Sequence, residues 1–148
     1  MIPLSLPKLA GKEWEYVKQC LDTGWISTAG SFVDRFEVEF AQYLGIESSV
    51  SVVNGTAALH IALQLLGVEN NDLVIMPNVT FVASANAISY IGASPLLIVM
   101  DQDSWQMDLD LLENFLATEC KLDSSDILVH RETSRRISAL MIVHVQGN

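Results

Sequence analysis

Between Ser49 and Cys120 the sequence repeats one event: a short apolar segment passes through a turn straight into a helix. The segments are Ser49–Val53 before Asn54-Gly55 and a helix over Thr56–Leu66; Leu73–Met76 before Pro77–Thr80 and a helix over Phe81–Ile91; and Leu96–Met100 before a helix over Leu109–Cys120, with Asp108 as its N-cap. A last strand is expected over Ile137–Val145. Strands that alternate with helices need crossover connections, which are right-handed and leave the strands parallel. An unbroken apolar strand such as Leu96-Leu97-Ile98-Val99-Met100 calls for helices on both faces. The fold class is therefore α/β, a mostly parallel sheet flanked by helices.

The residues ahead of this alternation read differently. Trp14, Val17 and Leu21 recur at helical spacing within Ala10–Asp22, and Gly24 marks a stop. Ser31 followed by Asp34 has the spacing of a capping box, and Phe32, Val33, Phe36, Phe40, Tyr43 and Leu44 then share one face as far as Gly45. Trp25–Gly30 joins the two helices. This divides the chain into opening helices over 1–46 and an alternating core over 47–148. Lys121–Arg136, crowded with charges and serines, is expected to be an exposed loop or short hairpin.

Composition narrows the function. A chain of 148 residues can bury roughly 70% of its unfolded surface around one core. Half of its residues are hydrophobic and only 18% are charged, with a mean hydropathy of +0.32, more apolar content than a free-standing domain needs. A final strand with no covering helix before Gly147-Asn148 points the same way, so the chain is expected to be the first part of a larger protein. Eighteen acids against eight bases give a net charge of −10, which excludes a broad nucleic-acid surface. The longest apolar runs, Leu96–Met100 and Ala139–Val143, are far too short to span a membrane, and the start, with Pro3 and Pro7, lacks a basic leader. A cytoplasmic location is expected. Cys20 and Cys120 have no ligand-spaced partner, so neither a disulfide framework nor a zinc site is indicated.

Two turns carry chemistry. In Val52-Val53-Asn54-Gly55-Thr56-Ala57-Ala58-Leu59 one glycine leads into a helix whose first N–H groups lack internal partners. The helix dipole favours an anion there by about 0.3–1 kcal/mol, so a phosphate fits against Gly55, Thr56 and Ala57. In isolation the same residues also read as a plain bend with Thr56 as cap. Neither Gly-x-Gly-x-x-Gly nor a Gly-Lys-Ser/Thr loop is present. In Pro77–Asn86, at the carboxyl end of a strand where open α/β sheets bind ligands, Phe81 is placed to stack on a flat heteroaromatic ring, worth about 0.5–1.5 kcal/mol; its plain alternative is a core phenylalanine.

Taken in order, Gly-Trp-Ile-Ser-x-x-Gly (Gly24–Gly30), Phe-Glu-x-x-Phe (Phe36–Phe40), Asn-Gly-Thr-Ala-Ala-Leu (Asn54–Leu59), Pro-x-x-Thr-Phe-Val-Ala-Ser-Ala-Asn (Pro77–Asn86), Gly-Ala-x-Pro (Gly92–Pro95), Asp-x-Asp-Ser-Trp (Asp101–Trp105) and Val-His-x-x-Gly (Val143–Gly147) resemble the DegT/StrS-type sugar-nucleotide aminotransferases. These are fold-type I enzymes that use pyridoxal 5′-phosphate (PLP). The resemblance spans nearly the whole chain but only the amino-terminal part of the family's large domain.

The resemblance implies that Gly55, Thr56 and Ala57 hold the PLP phosphate and that Phe81 stacks on its pyridine ring. Asn86 and His144 match recurrent family positions, and Trp25–Gly30 resembles a loop near the cleft of a family homodimer. Implied partners are an amino-acid donor, L-glutamate, and a nucleotide-linked keto-sugar, in amino-sugar or surface-polysaccharide synthesis. Val99 and Gln102 depart from the usual Asp and Pro. No catalytic residue is assigned: Lys8, Lys12, Lys18 and Lys121 do not match the family's catalytic lysine, so this stretch alone is expected to be inactive. A PLP-dependent sugar dehydratase of the same fold and a non-catalytic remnant stay open as alternatives.

Overall fold

In the computed structural model Leu73–Pro77, strand β1, is buried at every position. It lies between β2 (Ser94–Ile98) and β5 (Ile137–Leu140), parallel to both, in a sheet of order β2-β1-β5. A strand enclosed on both faces and both edges must be apolar throughout, which is what Leu73-Val74-Ile75-Met76 supplies. Its side chains alternate between two cores. Val74 and Met76 pack with Leu63, Ala87 and Ile88 beneath α3 (Gly55–Leu65) and α4 (Ala83–Tyr90). Leu73 and Ile75 pack on the opposite face with Leu112, Cys120 and Ile137, beneath α5 (Leu109–Glu119). The expected mostly parallel sheet with helices on both faces is thus present.

The structure describes Pro3 and residues 6–147, so the expectations for Met1, Ile2, Leu4, Ser5 and Asn148 lie outside the described residues. The chain divides into two units between Ser51 and Val52. The first holds α1 (Glu13–Thr23) and α2 (Ser31–Leu44), closed by Gly24 and Gly45 in the left-handed conformation (φ 75° and 68°). Tyr16 and Phe32 rings meet at 4.9 Å, the Arg35 guanidinium lies 5.3 Å over the Tyr16 ring, and Arg35 pairs with Glu39 at 2.6 Å. Beyond α2, the Ser49 hydroxyl donates to the Glu37 carbonyl at 2.7 Å, and Ser51 donates its N–H and hydroxyl to the Glu37 carboxylate at 2.7 and 2.9 Å.

In the second unit Asp108 caps α5 as expected, its carboxylate accepting from the Leu111 N–H at 2.9 Å. Lys121–Arg136 contains the short hairpin, β3 (Cys120–Leu122) antiparallel to β4 (Leu128–His130). Its end is not a loose loop. Arg135 donates to the carbonyls of Asn71 (2.6 Å) and Asp72 (2.9 Å) and to the Ser94 hydroxyl (2.9 Å), clamping the amino ends of β1 and β2 together. No helix among the described residues is long and apolar enough to cross a membrane.

Several expected boundaries move. The Ser31–Asp34 capping box does not form: Ser31 lies inside α2, and the cap is Gly30, which has no side chain to offer. Ser49–Val53 is not a strand, because no neighbouring strand pairs with it and the Ser51 N–H goes to Glu37 instead. The first helix starts at Glu13 rather than Ala10, and α4 starts at Ala83, leaving Phe81 in the preceding loop. The strand expected at Leu96–Met100 sits two residues earlier as β2 and takes in Pro95, which an edge strand tolerates because it needs no partner on one side. Leu97 on β2 is 56% exposed and Val99, just past its end, 54%. The last strand ends at Leu140, and Val145–Gly147 turns into a single 3-10 turn.

The two Ser51 hydrogen bonds stabilise the ionised form of Glu37 and hold its carboxyl below the ordinary value of 4.5. A carboxylate depressed on folding contributes stability that is complete above its ordinary value and disappears as pH falls through the lowered one. Thermal melts between pH 6 and pH 3 are therefore expected to show an acid-side loss that begins only below about pH 4.5 and is reduced in Glu37→Gln. Identical acid profiles for the two proteins would show that this tether does not hold.

Candidate functional site

Asn54 is extended (φ −166°, ψ 171°) and turns the chain into α3. Its main-chain carbonyl accepts from the Ala58 N–H at 3.1 Å, and its carboxamide oxygen accepts from the Ala57 N–H at 2.9 Å. The cap is therefore Asn54, not Thr56, and this corrects the sequence reading of the turn. Of the three residues expected to meet an anion, Ala57 already has its amide engaged. The Gly55 and Thr56 amides and the Thr56 hydroxyl have no partner among the described residues.

Gly55 shows what the turn leaves open. Its φ is not in the left-handed region, and a Cβ built on it meets no heavy atom within 4 Å. Neither backbone conformation nor packing demands a glycine there. A side chain there would project into open space beside the turn.

Beside the turn is a cavity of about 330 Å³ lined by Asn54, Thr56, Ala57, His60, Asn86 and Tyr90. The His60 and Tyr90 rings meet edge to face at 5.9 Å, joining α3 to α4. Asn86, matched by the family resemblance, thus comes together with Thr56 and Ala57. His60 and Tyr90 were not anticipated, although each lies four residues beyond a lining residue, Thr56 and Asn86, on the same helix face. Among the described residues no lysine or arginine lines this cavity; the donors it offers an anion are amides and a hydroxyl at the positive end of the α3 dipole.

Phe81 follows β1 in the loop before α4 and is 78% exposed, so it is not a core residue. An open aromatic face at the carboxyl end of the sheet can stack on a flat ring. Phe81 does not line the cavity shared by Thr56 and Ala57, and neither does the exposed His144. Trp25–Gly30 lines a separate cavity of about 260 Å³ in the first unit. Lys121 is on β3, across the sheet from α3 and α4. Lys8, Lys12 and Lys18 belong to the first unit, where Lys18 pairs with Asp22. Burial pushes the Cys120 thiol up, which keeps it protonated and a poor nucleophile.

The sequence pattern of the DegT/DnrJ/EryC1/StrS aminotransferase family matches residues 7–148. The chain belongs to this family. It is similar to the GDP-perosamine synthase of Escherichia coli O157:H7, 39% identical over 147 residues, which cover 99% of this chain and 36% of that one. It also resembles Spr1654 of Streptococcus pneumoniae, solved in its PLP form, with a TM-score of 0.70 and 35% identity over 76% of this chain and 29% of that one. A GDP-4-keto-6-deoxy-D-mannose-3-dehydratase of E. coli, solved with bound hydrated PLP, has a TM-score of 0.67 over 76% of this chain and 30% of its own, but at 21% identity it shows the fold alone. The chain spans about a third of the length of the curated relatives it matches.

If Gly55 is bare for the sake of a ligand, replacing it is expected to leave the fold intact and spoil binding. Gly55→Ala should keep or slightly raise the melting temperature, since the change at a compatible position is worth about 0.4–1 kcal/mol through the unfolded chain. It should also diminish the stabilisation that inorganic phosphate confers in the same melts. A lower melting temperature without phosphate would show that Gly55 serves the fold.

Proposed function

We propose that the longer protein containing this chain is a PLP-dependent aminotransferase that moves an amino group from an amino acid, L-glutamate, to a nucleotide-linked keto-sugar. The observation that carries this reading is the Gly55–Thr56 turn, with two unpaired amides and a hydroxyl under open space, in a chain of this family. The donor set suits a phosphate: uncharged donors at a helix start bind a dianion without placing a fixed cation beside it. When bound, PLP supplies an electron sink for moving an amino group between two carbons.

In this reading Gly55 and Thr56 bind the phosphate through their amides, and the Thr56 hydroxyl adds a third donor. Ala57 serves indirectly, because its bond to Asn54 closes the turn. Phe81 covers one face of the pyridine ring and keeps water from it. Asn86 faces the same cavity and orients what enters it. The catalytic lysine comes from outside this chain. Residues 1–148 are the amino-terminal part of the large cofactor-binding domain, with the opening helices within 1–46 and the alternating core within 47–148, and the whole enzyme works as a cytoplasmic homodimer whose opening helices pack across the interface. The apolar groove of about 420 Å³ between α1 and α2, lined by Val17, Leu21 and Phe36 among others, supports that packing. The dehydratase of the same fold is the second reading, and a lysine against a histidine at the Schiff-base position of the longer protein separates the two.

The test is an assay on the full-length protein, in which L-glutamate and bound PLP alone are expected to yield no more than one equivalent of 2-oxoglutarate per active site, and continued turnover is expected only when a nucleotide-linked keto-sugar is present to take the amino group. In absorbance titrations Thr56→Val should weaken PLP binding about 10- to 100-fold, the effect of losing one hydrogen bond to a charged group, and Phe81→Ala less than that. Unchanged PLP affinity in Thr56→Val would remove the phosphate assignment.

A further inference from the structure

Phe81 is held by very little of its own. With 78% of its surface exposed, its place is set by the chain on either side of it. On the downstream side the Phe81 carbonyl accepts from the Ser84 N–H at 3.1 Å. The hydroxyls of Thr80 and Ser84 meet at 3.0 Å, and Ser84 is 5% exposed. This ties the end of the loop to α4.

The upstream side is tied to the edge strand by one residue. Strand β1 ends at Pro77 and β2 at Ile98, so the regular ladder stops there. Asn78 continues it in two ways. Its N–H donates to the Ile98 carbonyl at 2.9 Å, and its carboxamide oxygen accepts from the Met100 N–H at 3.0 Å. The side chain thus does for Met100 what a further strand residue would do with its main-chain carbonyl. Three residues before Phe81, the loop is thereby fixed to a second strand instead of being free to swing about Pro77.

We propose that Asn78 is the positioning residue for Phe81, setting by its bond to Met100 where the aromatic face lies for a flat heteroaromatic ligand. The inference rests on the reading of Phe81 as the ring-covering residue and adds what holds it there. Asn78 touches no ligand in this arrangement; it acts through Phe81.

The experiment is a double-mutant cycle on the full-length protein, with PLP affinity read from absorbance and the ordering of bound PLP from its circular dichroism band. Asn78→Leu, which removes the acceptor, is expected to weaken PLP binding about two- to tenfold, the range an aromatic stacking contact supplies. Asn78→Asp keeps an acceptor oxygen in place and is expected to restore affinity to within about threefold of the wild type, together with the dichroism band. In a Phe81→Ala background Asn78→Leu should cost nothing further, because the group it positions is gone. Should Asn78→Leu not fold, Asn78→Ser, whose hydroxyl is too short to reach Met100, makes the same comparison.

An equal loss in both backgrounds would overturn the proposal and leave the reading of Phe81 standing, since Asn78 would then be acting on the fold and not through the ring. Wild-type affinity in Asn78→Leu would overturn it likewise. Wild-type affinity in Phe81→Ala would overturn the reading of Phe81 and this inference with it.

Discussion

The second unit depends on the complete enclosure of β1. Each of its faces is covered by a different set of helices, and each of its edges by a parallel neighbour. Its amides and carbonyls are therefore paired within the sheet, and its side chains have no choice of environment beyond the alternation of the pleat. That alternation sends Val74 and Met76 to α3 and α4, so these two helices share one face of the sheet and the polar cavity between Thr56 and Asn86 exists at all. The same enclosure fixes where the chain leaves β1, and with it the origin of the loop that carries Asn78 and Phe81.

Rigidity at the other end of the strands has a different source. Arg135 satisfies three acceptors from the turn before β1 and from the start of β2, while Arg136 reaches the Gly67 carbonyl and lies 3.7 Å from Asp72. Multiple donors on one planar guanidinium suit this task better than a single ammonium would. Basic side chains are few in this chain, and two of them hold the amino ends of the strands; among the described residues none lines the cavity between Thr56 and Asn86. The donors at the start of α3 are amides and a hydroxyl, groups whose hydrogen bonding is set by direction more than by charge.

Much of this was legible in the sequence because the signals were local. Helix stops at Gly24 and Gly45, the Asp108 cap, the apolar run of β1 and the turn at Asn54-Gly55 each depend on a few consecutive residues. The two misplaced strands depend on a partner. Ser49–Val53 has the residues of a strand but no strand beside it, and a ladder needs two sides. β2 lies two residues early because its pairing with β1 sets the register, and apolar content alone does not reveal register. Ala57 was expected to present a free amide, but a capping carboxamide competes for the same donor.

By itself the sequence determined the fold class, the family, the five helices and the strands at β1, β2 and β5 to within a few residues, and the identity of the turn residues Gly55 and Thr56, because each is written in spacing and residue type over short stretches. Only the tertiary structure decided which amides of that turn are unpaired, that Gly55 is bare without any need of the backbone for it, that Phe81 lies outside the core, and that Asn78 is bonded to Met100. These are statements about which distant groups meet and which do not. They follow from packing in three dimensions, where a donor on one segment is satisfied or left open by an acceptor more than twenty residues away or by its own side-chain cap.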